Sequence, residues 1–134
     1  MAGYSSTPLA KKLGIKAGNA LLLVNAPAYY YSLFADMPGG VHDALPNEQV
    51  PFVHIFFTGA AGLSEALLAL KSRLTPSGMI WASWPKKASG IVTDVSESLI
   101  RDTALSIGLV DVKVCAVDDT WSGLKLVIPV KDRK

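Results

Sequence analysis

Hydrophobic and polar residues along this chain fall into blocks whose lengths and periods separate strands from helices. Ala20-Leu21-Leu22-Leu23-Val24 is an unbroken apolar run with polar or turn residues on either side, the pattern of a strand covered on both faces. Val53-His54-Ile55-Phe56-Phe57 repeats it just after Pro51, a residue suited to a strand start because no ladder donor is lost there. Met79-Ile80-Trp81-Ala82-Ser83 predicts a third strand, after a turn at Thr75-Pro76-Ser77-Gly78. Between the second and third runs, Leu63, Leu67, Leu70 and Leu74 recur at the helical period, with Glu65, Lys71 and Arg73 off that stripe. A further helix is predicted from Asp94 to Ile107. Asp94 and Glu97 have capping-box spacing, Leu99, Ile100, Thr103, Ala104 and Ile107 supply the stripe, and Gly108 suits the C-terminal cap.

Weaker patterns fill the gaps. Thr7-Pro8 opens a short capped helix through Leu13, stopped by Gly14, and Tyr29 to Phe34 suits one or two helical turns before Pro38-Gly39-Gly40. Val41 to Leu45 reads as a weak edge strand. In the last third, Val112, Val114 and Ala116 alternate with Asp111, Lys113 and Cys115, which predicts a strand over Val110 to Val117 with one wetter face, near an edge. Asp118 to Gly123 turns the chain, Leu124 to Ile128 returns as a more apolar strand closed by Pro129, and Lys131 to Lys134 is expected to fray. The order implies an α/β fold: a mostly parallel sheet of five or six strands with a C-terminal antiparallel hairpin and helices on both faces.

Composition narrows the function classes. A length of 134 residues fits one domain over residues 1–134, and 50% hydrophobic with 18% charged residues excludes a disordered chain. Thirteen basic against eleven acidic residues leave +2, without the basic excess of a nucleic-acid binder. A single cysteine, Cys115, excludes an internal disulfide and a multi-cysteine metal cage. The first eight residues lack a signal-peptide pattern, and the uncharged stretch Ala17 to Ala35 is broken by Gly18, Asn19, Asn25, Pro27 and Ser32. A cytoplasmic protein without membrane or nucleic-acid partners is the expectation.

Three segments carry a resemblance. Gly3 to Ile15 (GYSSTPLAKKLGI), Trp84 to Gly90 (WPKKASG) and Val114 to Leu124 (VCAVDDTWSGL) look like the signature segments of a small bacterial family of unknown function, which brings no activity with it. More loosely, the order of elements resembles a truncated class I methyltransferase, a Rossmann-like fold. Leu70 to Trp81 looks like the crossover into that fold's fifth strand, and the terminal hairpin like its last two strands. The resemblance implies a three-layer Rossmann-like architecture with the final strand between the third strand and the penultimate one. Such methyltransferases approach their nucleotide cofactor with a glycine-rich loop after the first strand. Here that loop is Asn25-Ala26-Pro27-Ala28-Tyr29, without glycine, and no acidic residue matches the ribose-binding one, since Asp43 sits in a weak strand. Methyl transfer is therefore not expected, and no cofactor is predicted.

The remaining chemistry gathers after the third strand. Lys86, Lys87, Ser89 and Gly90, with Thr93 before the next helix, would lie at the carboxyl end of the sheet, where open α/β folds bind ligands, and two ammonium groups with two hydroxyls suit an anion. A solvated lysine pair in a crossover loop is the competing reading. Trp84, at the strand end, and Trp121, in the hairpin turn, would wall a pocket on the same rim, with Thr58-Gly59 letting backbone approach a ligand. Tyr29, Tyr30 and Tyr31 extend this aromatic rim, although structural packing is the favoured reading of these aromatics. His42 and His54 do not cluster with other ligands, His54 reads as a core imidazole, and Cys115 reads as an inert buried thiol. No metal site is expected. The sequence points to a non-catalytic protein binding a small anionic or aromatic ligand, or a protein partner, at the carboxyl edge. The alternatives are a small enzyme using Lys86 or Lys87 beside Thr58 or Ser89, and a self-associating structural protein.

Overall fold

The computed structural model describes residues 7–133; residues 3–6 of the first signature segment lie outside them. Six strands, β1 (Ala20–Val24), β2 (His42–Asp43), β3 (Val50–Phe56), β4 (Leu74–Pro85), β5 (Val110–Ala116) and β6 (Trp121–Val127), form one sheet in the order β2-β1-β3-β4-β6-β5. The first four run parallel, and β6 is antiparallel to both β4 and β5. Helices α2 (Leu63–Lys71) and α3 (Glu97–Ser106) cover one face, and α1 (Leu9–Leu13) with a 3-10 turn at Tyr30–Leu33 covers the other. This is a three-layer, mostly parallel α/β fold with a C-terminal antiparallel hairpin. Among the described residues no helix is long and apolar enough to cross a membrane.

The core between the sheet and α2/α3 is apolar. Val53, Ile55, Ile80, Ala82, Leu124 and Leu126 from the strands meet Leu63, Leu67, Leu70, Ile100 and Ala104 from the helices. The other face carries Leu21, Phe52, Phe56, Trp81 and Cys115, with the polar His54 and Ser83 fully buried among them. Five residues are too few to hold a helix by propensity alone, so α1 depends on tertiary anchors. The Asp36 carboxylate accepts from the Ala10 and Lys11 N–H groups at 3.1 and 3.2 Å, in place of the cap expected from Thr7-Pro8. At the other end the Trp81 indole N–H donates to the Leu13 carbonyl at 2.8 Å, and Gly14 closes the helix in the left-handed region at φ +87°.

Several expectations shift. Pro51 lies inside β3, at a register break: Val50 pairs with Leu74 but Phe52 pairs with Met79, so Thr75–Gly78 is an excursion within β4 rather than a turn before it. A missing N–H is tolerated at such a break. Helix α3 starts at Glu97, and its cap is Ser96, whose hydroxyl accepts from the Leu99 N–H at 3.2 Å. Asp94 is engaged elsewhere, accepting from the Ala60 N–H at 2.8 Å. Tyr29 to Phe34 makes only the single 3-10 turn. On β5 the buried side is Cys115, whereas Val112 and Val114 are about half exposed. In the C-terminal segment a 3-10 turn spans Val130–Asp132 and the Arg133 side chain donates to the Ile128 carbonyl, while Lys134 lies outside the described residues.

Candidate ligand crevice at the carboxyl rim

Parallel strands end together, and here that end collects the residues singled out from the sequence. Val24 pairs with Ile55, and the Phe57 N–H donates to the Ser83 carbonyl. Pro85 pairs with Trp121, and the Lys86 N–H donates to the Thr120 carbonyl. The loops leaving β1, β3 and β4 and the turn entering β6 therefore share one rim. The chain leaves β1 toward β2 on one side and leaves β3 toward β4 on the other, so a crevice opens between them, the position where open α/β sheets take ligands.

This crevice holds about 550 Å³ and is lined by Asn25, Pro27, Thr58, Gly59, Gly62 and Trp121 over a floor of Val24 and Ile55. None of its lining residues is ionisable. The loop after β1 lacks glycine, yet Asn25 adopts φ +58°, a left-handed turn that asparagine tolerates better than most residues. Asn25 lines the crevice, a role not singled out from the sequence, and its position directly after a strand is the signal. Trp121 is nearly buried and held in place: its indole N–H donates to the Tyr29 hydroxyl at 3.2 Å, which donates to Asp118 at 2.9 Å. Burial and the Asp118 carboxylate raise the Tyr29 pKa, while the Trp121 N–H works against them. Asp118 also accepts from the Thr120 and Trp121 N–H groups, fixing the hairpin turn.

A second cleft of about 480 Å³ lies along the rim, lined by Trp84, Lys87, Gly90, Thr93, Asp94 and Ser96 among others. The loop after β3 is tied to its wall: the Thr93 hydroxyl donates to the Thr58 carbonyl at 2.7 Å, beside the Ala60–Asp94 hydrogen bond. The structure thus divides the sequence's candidates. Thr58, Gly59 and Trp121 line the first cleft, and Trp84, Lys87, Gly90 and Thr93 the second. Lys86 and Ser89 line neither. The Ser89 hydroxyl donates to the Lys86 carbonyl at 2.6 Å and accepts from the Ile91 N–H. Lys86 is close enough to Cys115, on the α1 face, for its charge to act on that thiol. Burial nonetheless pushes the Cys115 pKa up, against the lysines Lys12, Lys113 and Lys86.

Neither histidine reaches the rim. His42 lies opposite Ala20, at the amino end of β1. His54 is fully buried, its two ring nitrogens hydrogen-bonded to the Tyr30 hydroxyl at 2.9 Å and the Ser83 hydroxyl at 2.8 Å. Burial lowers its pKa to about 3 and raises that of Tyr30. Among the described residues, no three His, Cys, Asp or Glu side chains gather as a metal centre requires.

No protein-family model matches the chain and no curated protein matches it, so the resemblance to a small bacterial family stands on its three segments alone. Seventeen chains of solved structure match in fold. A putative methyltransferase from Thermoplasma acidophilum superposes with a TM-score of 0.56 at 9% identity, covering 84% of this chain and 69% of that one. A LepI variant in complex with SAH and a substrate analogue gives 0.51 at 12% identity, but this chain spans only 39% of its length, while 90% of this chain is covered. A protein of the NADB-Rossmann superfamily from Streptococcus agalactiae gives 0.50 at 9% identity, over 94% of this chain and 70% of that one. At such identities the likeness is one of architecture: the chain has a methyltransferase-like Rossmann fold.

Proposed function

We propose that the chain is a non-catalytic protein of the bacterial cytoplasm that binds a small molecule at the carboxyl rim of its sheet. The observation that carries this reading is the crevice at the divergence of β1 and β3, whose volume of about 550 Å³ falls in the range of ligand sites. Its lining offers apolar walls, a fixed indole and the Thr58-Gly59 backbone, which suits a flat aromatic group, and it contains no titratable acid or base. An anionic end of the same ligand would reach Lys87 in the neighbouring cleft, past the Thr93–Asp94 wall. A thermal-shift screen of adenosyl compounds, nucleotides, acyl thioesters and phosphosugars tests it. A ligand that prefers the folded state must raise the Tm in a dose-dependent way. Gly59→Leu should weaken the hit at least about tenfold, because a Cβ at Gly59 meets only the Asp94 carboxylate, at 4.0 Å, leaving the side chain room to fill the crevice. Equal binding by that variant, or no hit, rejects the site. Turnover of the hit would move the protein to the enzyme class.

One observation favours a second reading, self-association. Among the described residues the edge strand β5 pairs only with β6, and it exposes Val112 and Val114 at 52% and 48%. An open apolar edge of this kind templates pairing with another strand. Light scattering at high concentration distinguishes a dimer that Val112→Lys disrupts from a monomer.

A further inference from the structure

The end of the sheet opposite the rim gathers cations that the proposed ligand site does not use. Lys113 on β5 and Lys125 on β6 are register partners, and Lys125 is in turn opposite Trp81, so both lysines lie on the face that α1 covers. Like charges directly opposed across a strand pair destabilise a sheet. Among the described residues, neither lysine has a carboxylate within ion-pair distance; the ion pairs run from Arg101 to Glu97 and Asp111, on the α3 side of the sheet. Burial, and after it the Lys113 charge, depress the Lys125 pKa.

Lys125 also lines a cleft of about 450 Å³ with Lys16, Asn19, Ser77 and Met79, next to the residues that start β1, β3 and β4. The side-chain polar groups of this lining are two ammonium groups, an amide and a hydroxyl, with no Asp or Glu among them. The Asn19 side-chain Oδ1 already accepts from the Lys16 N–H at 2.9 Å, which leaves its NH2 group as the available donor. A cleft that can donate at every polar position beside two unneutralised lysines is built for negative charge. A single monoanion would leave most of that charge unmatched, whereas linked phosphates carry several charges in a small volume and accept many hydrogen bonds.

From this juxtaposition of opposed lysines and a donor-lined cleft, we infer that the amino end of the sheet binds a compact chain of linked phosphates, free or as the phosphate tail of a nucleotide. Lys16 and Lys125 neutralise it, with the Lys113 charge adding to theirs from the neighbouring strand, and Asn19 and Ser77 hydrogen-bond it. The site is independent of the carboxyl crevice, so either can fail alone. The test titrates tripolyphosphate and adenosine triphosphate separately into the full chain, with sodium chloride at matched ionic strength as reference. Backbone amide shifts of Asn19, Ser77 and Lys125 are followed together with the Tm. Both compounds should move these amides and raise the Tm beyond the salt reference. Lys125→Met and, on the exposed loop, Lys16→Met should each weaken binding at least about tenfold, while Lys131→Met at the C-terminal turn leaves it unchanged. A stronger response to tripolyphosphate identifies free phosphates as the preferred source, and a stronger response to the nucleotide at the same amides identifies its tail. Responses no larger than the salt reference overturn the inference, as do responses that survive both cleft variants or fall only on Thr58 and Gly59.

Discussion

The two faces of the sheet solve the same burial problem with unequal resources. Under α2 and α3, two helices of nine and ten residues bring their own leucines and isoleucines, and every strand residue in that core is apolar. Under α1 there are only five helical residues and one 3-10 turn. That face is filled by large aromatic groups, Trp81, Phe52, Phe56 and Tyr30, and is pinned by single hydrogen bonds at fixed points. Where regular structure is scarce, side chains that combine apolar bulk with one polar handle do the covering. The first face should therefore fail by losing packing, and the second by losing particular anchors.

The largest test contrasts Trp81→Ala with Ile100→Ala. Both side chains are fully buried. Ile100→Ala should cost about 2–4 kcal/mol, the usual range for deleting a buried aliphatic side chain, and leave α3 in place. Trp81→Ala should cost about 5 kcal/mol, the upper end for buried aromatics, because it also releases the Leu13 carbonyl and with it the end of α1. Hydrogen exchange should show lost protection at Gly14 and Ile15, whose N–H groups bond back into α1. Intact protection there with the helix still docked would show that α1 does not depend on its anchor.

Next in size is the Tyr30–His54–Ser83 chain. His54→Leu leaves two buried hydroxyls without their partner and should cost about 3 kcal/mol. The triple variant Tyr30→Phe/His54→Leu/Ser83→Ala should recover most of that, since apolar replacement of all the partners removes the unsatisfied groups. The pH dependence has a definite sign. The folded imidazole stays neutral down to about pH 3, while the unfolded one protonates near pH 6.5. Its contribution is fully present above about pH 6.5, and it falls as pH drops toward 3 because the unfolded chain binds a proton that the folded chain refuses. The slope is one proton, about 1.4 kcal/mol per pH unit. Stability curves of the wild type and the triple variant should diverge by that slope below pH 6; parallel curves would mean that His54 gains water and a proton in the folded state.

What the sequence disclosed and what it hid follow the same division. β1, β3, α2 and the hairpin are legible because continuous apolar runs and a leucine stripe reflect burial directly, but Leu74 of that stripe starts β4, and β6 starts at Trp121, inside the expected turn. The start of α3 is not legible, since Asp94 and Ser96 are both good caps two residues apart. The choice is made by the Ala60 N–H, thirty-four residues away in sequence, which claims the Asp94 carboxylate. The length of β4 was hidden because Thr75-Pro76-Ser77-Gly78 has turn chemistry, and only the register with β3 makes it an excursion. At the rim, shared location was legible from parallel strands ending together. The separation of Lys86 from Lys87 was also within reach, because consecutive residues leaving a strand point to opposite sides. The donor-lined cleft was beyond it, since Lys16, Ser77 and Lys125 meet only through the strand order.

The smallest expected effect has the opposite sign and sharpens the contrast within the α1 face itself. His54 is polar, buried and satisfied, so removing it destabilises. Lys125 is polar, half-buried and set against Lys113, so removing its charge should stabilise. Lys125→Met keeps the length and apolar stem of the side chain and deletes only the ammonium group. It should raise stability by about 0.5 kcal/mol at low ionic strength, the scale of a like-charge cross-strand pair. The share of the gain that comes from Lys113 should shrink in 1 M salt, where charges act on one another over only about 3 Å, while the share from burial remains. Lys113→Met should give a similar gain, and the double variant little more than either single one, because one repulsion is removed only once. Two full and additive gains would mean that each lysine is disfavoured by its own burial rather than by its partner, and the opposed pair would then have no energetic meaning.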